Sequence, residues 1–254
     1  MYIQFSAGET LQEVFKVAQS LNEKRIGSVV TFADPLRLAG EGEEAEEAAV
    51  KTATKYKDEI LEAVELASQV ARQSGPARNR ISILFKLSGL LPDPDVLVRR
   101  AERLAEERRA SSETRRLLVQ DGDWEKLWSI DHANGWQNIR DVFMLDDAYE
   151  AVREIVQQSR QIGLDVYIER EDDNGDRQST IEVLTDKLMS DFNKPEDGLP
   201  VVHVDMRSAS MSDGEKIMSQ VERARQAGYS LGIKLEQESE LWACTSRIRF
   251  RADV

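Results

Sequence analysis

Two stretches of this chain repeat one pattern. In "EIVQQSRQIGLDVYIE" and "VERARQAGYSLGIKL" a helical apolar stripe runs into a glycine, Gly163 or Gly228, and emerges as an apolar run of strand length. Glycine takes the left-handed conformation that closes a helix without steric cost, so the chain can turn back at once as a strand. Units joined this way in series leave successive strands pointing in the same direction. That favours a parallel α/β sheet, open or wound into a barrel. Other runs extend the series: "RIGSVVTF" (25–32), "RISILFKL" (80–87) and "LPVVHVDM" (199–206) join "LDVYIE" (164–169) and "SLGIKL" (230–235).

Between the strands, Ile60, Leu61, Val64, Ala67 and Ala71 recur at three- and four-residue spacing and predict a helix from Glu43 to about Gln73. A second helix is expected at Asp93-Pro94, an acidic N-cap before a proline, running through Leu97, Ala101 and Leu104 with a solvent-exposed Arg/Glu face. A third carries Ala148, Val152, Ile155, Val156 and Ile162 to Gly163, and a fourth spans 213–226. Residues 110–143 break this rhythm and hold Trp124, Trp128 and Trp136, so a helical insertion is expected there. Its tryptophans more often anchor packing than stack on a ligand. The expected fold class is α/β, an incomplete or rearranged (β/α) TIM-type barrel of about five or six strands in one domain. It divides into an N-terminal arm (1–24), first barrel units (25–109), the helical insertion (110–143), later barrel units (144–235) and a divergent tail (236–254). In that tail, "SRIRFRADV" alternates like a short amphipathic strand. A sheet that stops short of closure is expected to self-associate through its edges.

Lys+Arg 34 against Asp+Glu 47 gives a formal net charge of -13, which disfavours nucleic acid and anionic membranes as partners. The single cysteine, Cys244, cannot form an internal disulfide, and no metal site is expected. No GxGxxG or GxxxxGK loop is present, so those nucleotide-binding routes are unsupported. No apolar run approaches the roughly 20 residues of a membrane span. The opening "MYIQFSAGETLQEVF" lacks a signal core and the Arg-rich character of a transit peptide, so the expectation is either a cytoplasmic location for the chain as it stands or a targeting segment absent from this chain.

In parallel α/β sheets, ligands bind beyond the carboxyl ends of the strands. Lys86 sits at such an end, within a run otherwise apolar from Ile81 to Leu91. A lysine so placed must be paired, face a polar ligand, or lift its head to the solvent at the sheet's end. The next strand ends in "YIEREDD", where Glu169 and Glu171 share a face and Arg170 takes the other. One of these carboxylates pairing with Lys86 would resolve both charges; a solvated charge run is the commoner outcome. "LPVVHVDM" places His203 and Asp205 on one face, a pair more often structural than catalytic, and His132 is expected to be an ordinary surface or packing residue.

Five stretches, in order, are similar to the flavin enzyme family of proline dehydrogenases in its eukaryotic form. "YIQFSAGET" and "ISILFKLSGL" resemble the family's start and second barrel strand; "GLDVYIERED" and "QSTIEVLTDKLMSDFN" resemble a later strand and the helix after it, which closes on Phe-Asn. "VERARQAGYSLGIKL" resembles the helix and strand before the family's Val-Arg-Gly-Ala-Tyr segment. The resemblance implies FAD-dependent oxidation of L-proline to pyrroline-5-carboxylate, electrons passing to a quinone, in mitochondria. It implies that Lys86 and Lys234 flank the flavin and that Glu169 balances their charge. Ser208 stands where the family has a flavin-contacting glutamine, Thr31 where it has an aspartate, and Glu169-Arg170-Glu171 where it has Asp-Ala-Glu. After Leu235, "EQESELWACTSRIRFRADV" replaces Val-Arg-Gly-Ala-Tyr, and the chain is expected to lack the last helix, whose paired arginines hold the proline carboxylate. The alternative expectation is a truncated or non-catalytic homologue acting, if at all, by protein binding.

Overall fold

The computed structural model describes residues 10–33, 35, 42–74, 81–110, 123–129, 135–169, 178–197, 200–208, 211–237 and 246–249. In chain order the elements are α1 (Leu11–Glu23), β1 (Ser28–Thr31), α2 (Glu43–Ser74), β2 (Ile81–Lys86), α3 (Val96–Ala110), α4 (Asp123–Leu127), α5 (Gly135–Gln161), β3 (Asp165–Glu169), α6 (Gln178–Phe192), β4 (Val202–Ser208), α7 (Met211–Ala227), β5 (Gly232–Gln237) and β6 (Ser246–Arg249). The six strands form one sheet in the order β1-β2-β3-β4-β5-β6. The first five are parallel and β6 runs antiparallel to β5. The expected α/β class is therefore present, and the alternating "SRIR" of the tail is a strand.

The two glycines behave as their positions demand. Gly163 and Gly228 sit at φ +67° and +74°, the left-handed region, one after α5 and one after α7. The return into the next strand is locked by Leu164 N–H donating to Ser159 O and by Tyr229 N–H donating to Ala224 O. Where α6 ends, Asn193 performs this task with its side chain. Its Nδ2 donates to Val202 O at 2.8 Å, and its Oδ1 accepts from the N–H groups of Val201 and Val202 at 3.0 Å.

Alternation divides the sheet's residues into two sets. Ile81, Ile83, Phe85, Val166, Ile168, Val202, Val204 and Ile233 join the main core with Ile60, Val64 and Ala67 of α2, Val152 and Ile155 of α5, and Leu184 and Leu188 of α6. Parallel neighbours joined by right-handed crossovers in one direction place their helices on one face, which accounts for this common core. Ser82, Leu84, Tyr167 and His203 occupy the alternate positions and are also buried, but Leu84 and Tyr167 lie outside that cluster.

Several sequence expectations shift. The N-terminal arm contains helix α1, capped by the Thr10 side chain accepting from Glu13 N–H and burying Phe15 and Ala18. α3 starts at Val96; Asp93 caps the preceding turn, accepting from Asp95 N–H at 3.0 Å. α5 begins at Gly135, well before the apolar stripe that signalled it. The Arg/Glu face of α3 is not simply solvated. Arg100 is 2% exposed and donates to Asn138 Oδ1 and to the carbonyls of Leu127 and Lys126, covering the carboxyl end of α4. On the apolar stripe of α3, Leu104 joins Leu127 of α4 and Val183 of α6 in a satellite core with Trp124 and Trp128.

Candidate functional site

Lys86 is the last residue of β2 and lies directly opposite Glu169, the last residue of β3. Adjacent strands are about 4.8 Å apart, so cation and acid leave the sheet side by side, on the alternate set that includes Leu84 and Tyr167. Both are half-buried, and neither is unpartnered. Asp205 lies opposite Lys234 in the β4–β5 register. The β3–β4 register, carried one residue beyond Ile168↔Val204, places Glu169 beside Asp205. The register thus gives a row across four parallel strands in the order Lys86, Glu169, Asp205, Lys234, which ends β2 and β3 and lies three residues short of the ends of β4 and β5.

The backbone under Lys86 is held by a residue the sequence did not single out. Tyr56, on α2, donates its hydroxyl to Phe32 O and accepts from Lys86 N–H, each at 3.3 Å. Its ring meets Phe32 edge-on at 6.2 Å. A Cβ on Gly89 would lie 2.3 Å from the Tyr56 ring, so the "KLSGLL" turn admits only glycine there while the ring keeps its place. Tyr56 therefore joins the ends of β1 and β2 to the turn beyond Lys86. The signal was present in α2 as an aromatic at helical spacing before Ile60, but the helical pattern does not say which buried hydroxyl faces a strand end.

One layer below the charged row, the Tyr167 and His203 rings stack at 4.7 Å and 24°. His203 is 3% exposed, and its Nε2 lies 3.6 Å from Asp165 Oδ1, beyond a normal hydrogen bond. Sequence alternation grouped His203 with Asp205; the structure adds Tyr167 and Asp165, the other odd-numbered residues of "LDVYIE". Stacked in this way, the two rings turn their faces to each other and their edges to the charged layer above.

Ser208 ends β4 opposite Gln237, at a position in the core-facing series of Val202 and Val204 and not in the alternate set of His203 and Asp205. The side chains of Ser208, Asp205 and Lys234 lie outside the described residues, as do Arg170, Glu171, His132 and Cys244 altogether. Trp124 and Trp128 stack on each other at 3.7 Å, and Trp124 lies 5.0 Å from the Tyr149 ring. Lys187 Nζ sits 5.3 Å over Trp124 and 2.5 Å from Asp191, so these two tryptophans are packing anchors. Trp136, by contrast, is 87% exposed. Among the described residues there is no cluster of metal-ligating side chains and no helix long and apolar enough to cross a membrane. No family model matches the chain, and no curated protein matches it.

Proposed function

We propose that the charged row at the strand ends is a ligand site, that the sheet is an arc of a β/α barrel, and that the ligand is FAD serving oxidation of L-proline. The observation that carries this is the direct register of Lys86 with Glu169 at the carboxyl ends of parallel strands, beside Asp205 and Lys234. A lysine at each end of the row suits a group with an electron-rich ring edge and phosphates. The donor set therefore fits a flavin. In this reading Lys86 and Lys234 hold the cofactor, Glu169 balances their charge, and Tyr56 fixes the backbone that presents Lys86. When bound, FAD supplies the acceptor for a hydride from L-proline, giving pyrroline-5-carboxylate, with a quinone as the final acceptor and mitochondria as the location.

A second reading is a non-catalytic homologue acting through protein binding. It is favoured by Ser208, which stands in for a glutamine and falls in the core-facing series and not in that of the row's residues. Loss of well-placed contacts to a charged group weakens binding by roughly 1.5 to 3 kcal/mol each, so several departures together would cost orders of magnitude in affinity.

The test is to load the purified chain with FAD, remove the excess, and add L-proline without oxygen. A retained flavin spectrum that proline bleaches, and that Lys86→Met abolishes, supports the flavin reading. A chain that retains no flavin at stoichiometric loading sinks it and leaves the binding reading.

A further inference from the structure

Helices α2 and α5 follow successive parallel strands and run side by side in the same direction. Two ion pairs tie them, Glu46 to Arg140 at 2.6 Å and Lys57 to Glu154 at 2.5 Å. Between the pairs lies an open groove of about 690 Å³ with an apolar floor that includes Ala53, Leu90, Pro92, Met144 and Ala151. From Glu46 to Lys57 the helix advances about 16 Å, three turns of a helix laid alongside.

Apolar surface continues out of the groove. Trp136 and Phe143 are seven residues apart, so they project within about 20° of each other on α5. They are 87% and 61% exposed, and Val50 across the seam is 46% exposed. Large side chains left in water on one stripe mark an interaction surface. The groove's charge says what it fits. Its cations, Lys57 and Arg153, are already held by Glu154 and Glu150. Asp147, on the α5 wall, makes no ion pair among the described residues, and α2 opens with Glu43 and Glu44 ahead of the Glu46 that Arg140 holds.

We propose that the α2–α5 seam is a docking site for a basic amphipathic helix of a partner protein. Such a helix would set apolar anchors, at three- and four-residue spacing, between Phe143, Val50 and the groove floor, with its Lys or Arg residues against Asp147 and the acidic start of α2. A second copy of this chain is the poorer occupant, because a net charge of -13 sets acid against acid. The surface is separate from the strand-end row and stands whether or not that row holds a flavin.

The test titrates the full chain, by calorimetry, with two synthetic helices of about five turns that share one leucine stripe, one with lysine on the polar face and one with glutamate. The lysine helix is expected to bind and the glutamate helix not. Phe143→Ser and Trp136→Ser should each weaken binding at least tenfold, as should Asp147→Lys, with unchanged melting and unchanged flavin retention. Equal binding by wild type and all three variants, or no binding of the lysine helix, overturns the proposal. So does a concentration-dependent dimer that Phe143→Ser dissolves, which would give the face to a second copy.

Discussion

Lys86 shows how one residue can be legible in sequence while its setting is not. A lone charge at the end of an apolar run can be read at once, and so can an acid at the end of the next strand. Their direct opposition depends on register, which alternation alone does not fix. Removing either charge leaves the other half-buried without its register neighbour, so Lys86→Met and Glu169→Gln are each expected to destabilise the fold by about 1 to 3 kcal/mol. The double variant should cost less than the sum, and urea denaturation of the four-member cycle reads the coupling. A coupling below about 0.3 kcal/mol, the level at which independent sites add, would show that the two charges do not interact. Tyr56 was hidden for a different reason: helical periodicity marks the core face of α2 without saying that one hydroxyl on it reaches two strand ends.

At the scale of elements, most of the sequence reading rested on strong local chemistry. The apolar stripe of α2 gave its ends almost to the residue, Glu43–Ser74, and the glycines after α5 and α7 took the conformation their positions require. The early start of α5 was illegible because "GWQNIRDVFML" mixes exposed aromatics with a buried Asn138 and Asp141, and tertiary partners replace periodicity there. Asp141 is held by Arg99, which donates to both its oxygens at 2.9 and 2.7 Å. The junction of α6 with β4 depends on a single amide. Asn193→Ala removes three side-chain hydrogen bonds, two of them buried and one part-buried, and takes this partner from two N–H groups and a carbonyl, so a loss of about 3 kcal/mol is expected. The measurement is the urea midpoint at unchanged slope; a shift worth under about 1 kcal/mol would mean that other groups hold this junction.

For the whole molecule, two phenols tie the last helices to the frame. Tyr149 on α5 donates to Asp191, and Tyr229, ahead of β5, donates to Asp186 at 2.5 Å. Burial first, then the Asp191 carboxylate, raises the Tyr149 phenol well above its ordinary value; burial and then Asp186 do the same for Tyr229. In the unfolded chain both lose their protons near pH 10, whereas the folded chain keeps them, so above that point the folded state binds more protons. Their contribution is complete below about pH 10 and declines as the pH rises further. Thermal melting between about pH 8 and 11 should show a steep alkaline fall that the Tyr149→Phe, Tyr229→Phe double variant flattens. An equally steep fall in that variant would place the alkaline weakness elsewhere. Strand order in the sheet equals order in the chain. Each strand's partner is the one synthesised just before it, so a nascent chain leaving the ribosome can add one helix-strand unit at a time to an edge already formed. No strand waits for a segment made after it, but each parallel pairing must close a long crossover, 53 residues from Ser28 to Ile81 and 83 from Ser82 to Asp165, so the slow pace of synthesis gives each unit time to dock before the next emerges.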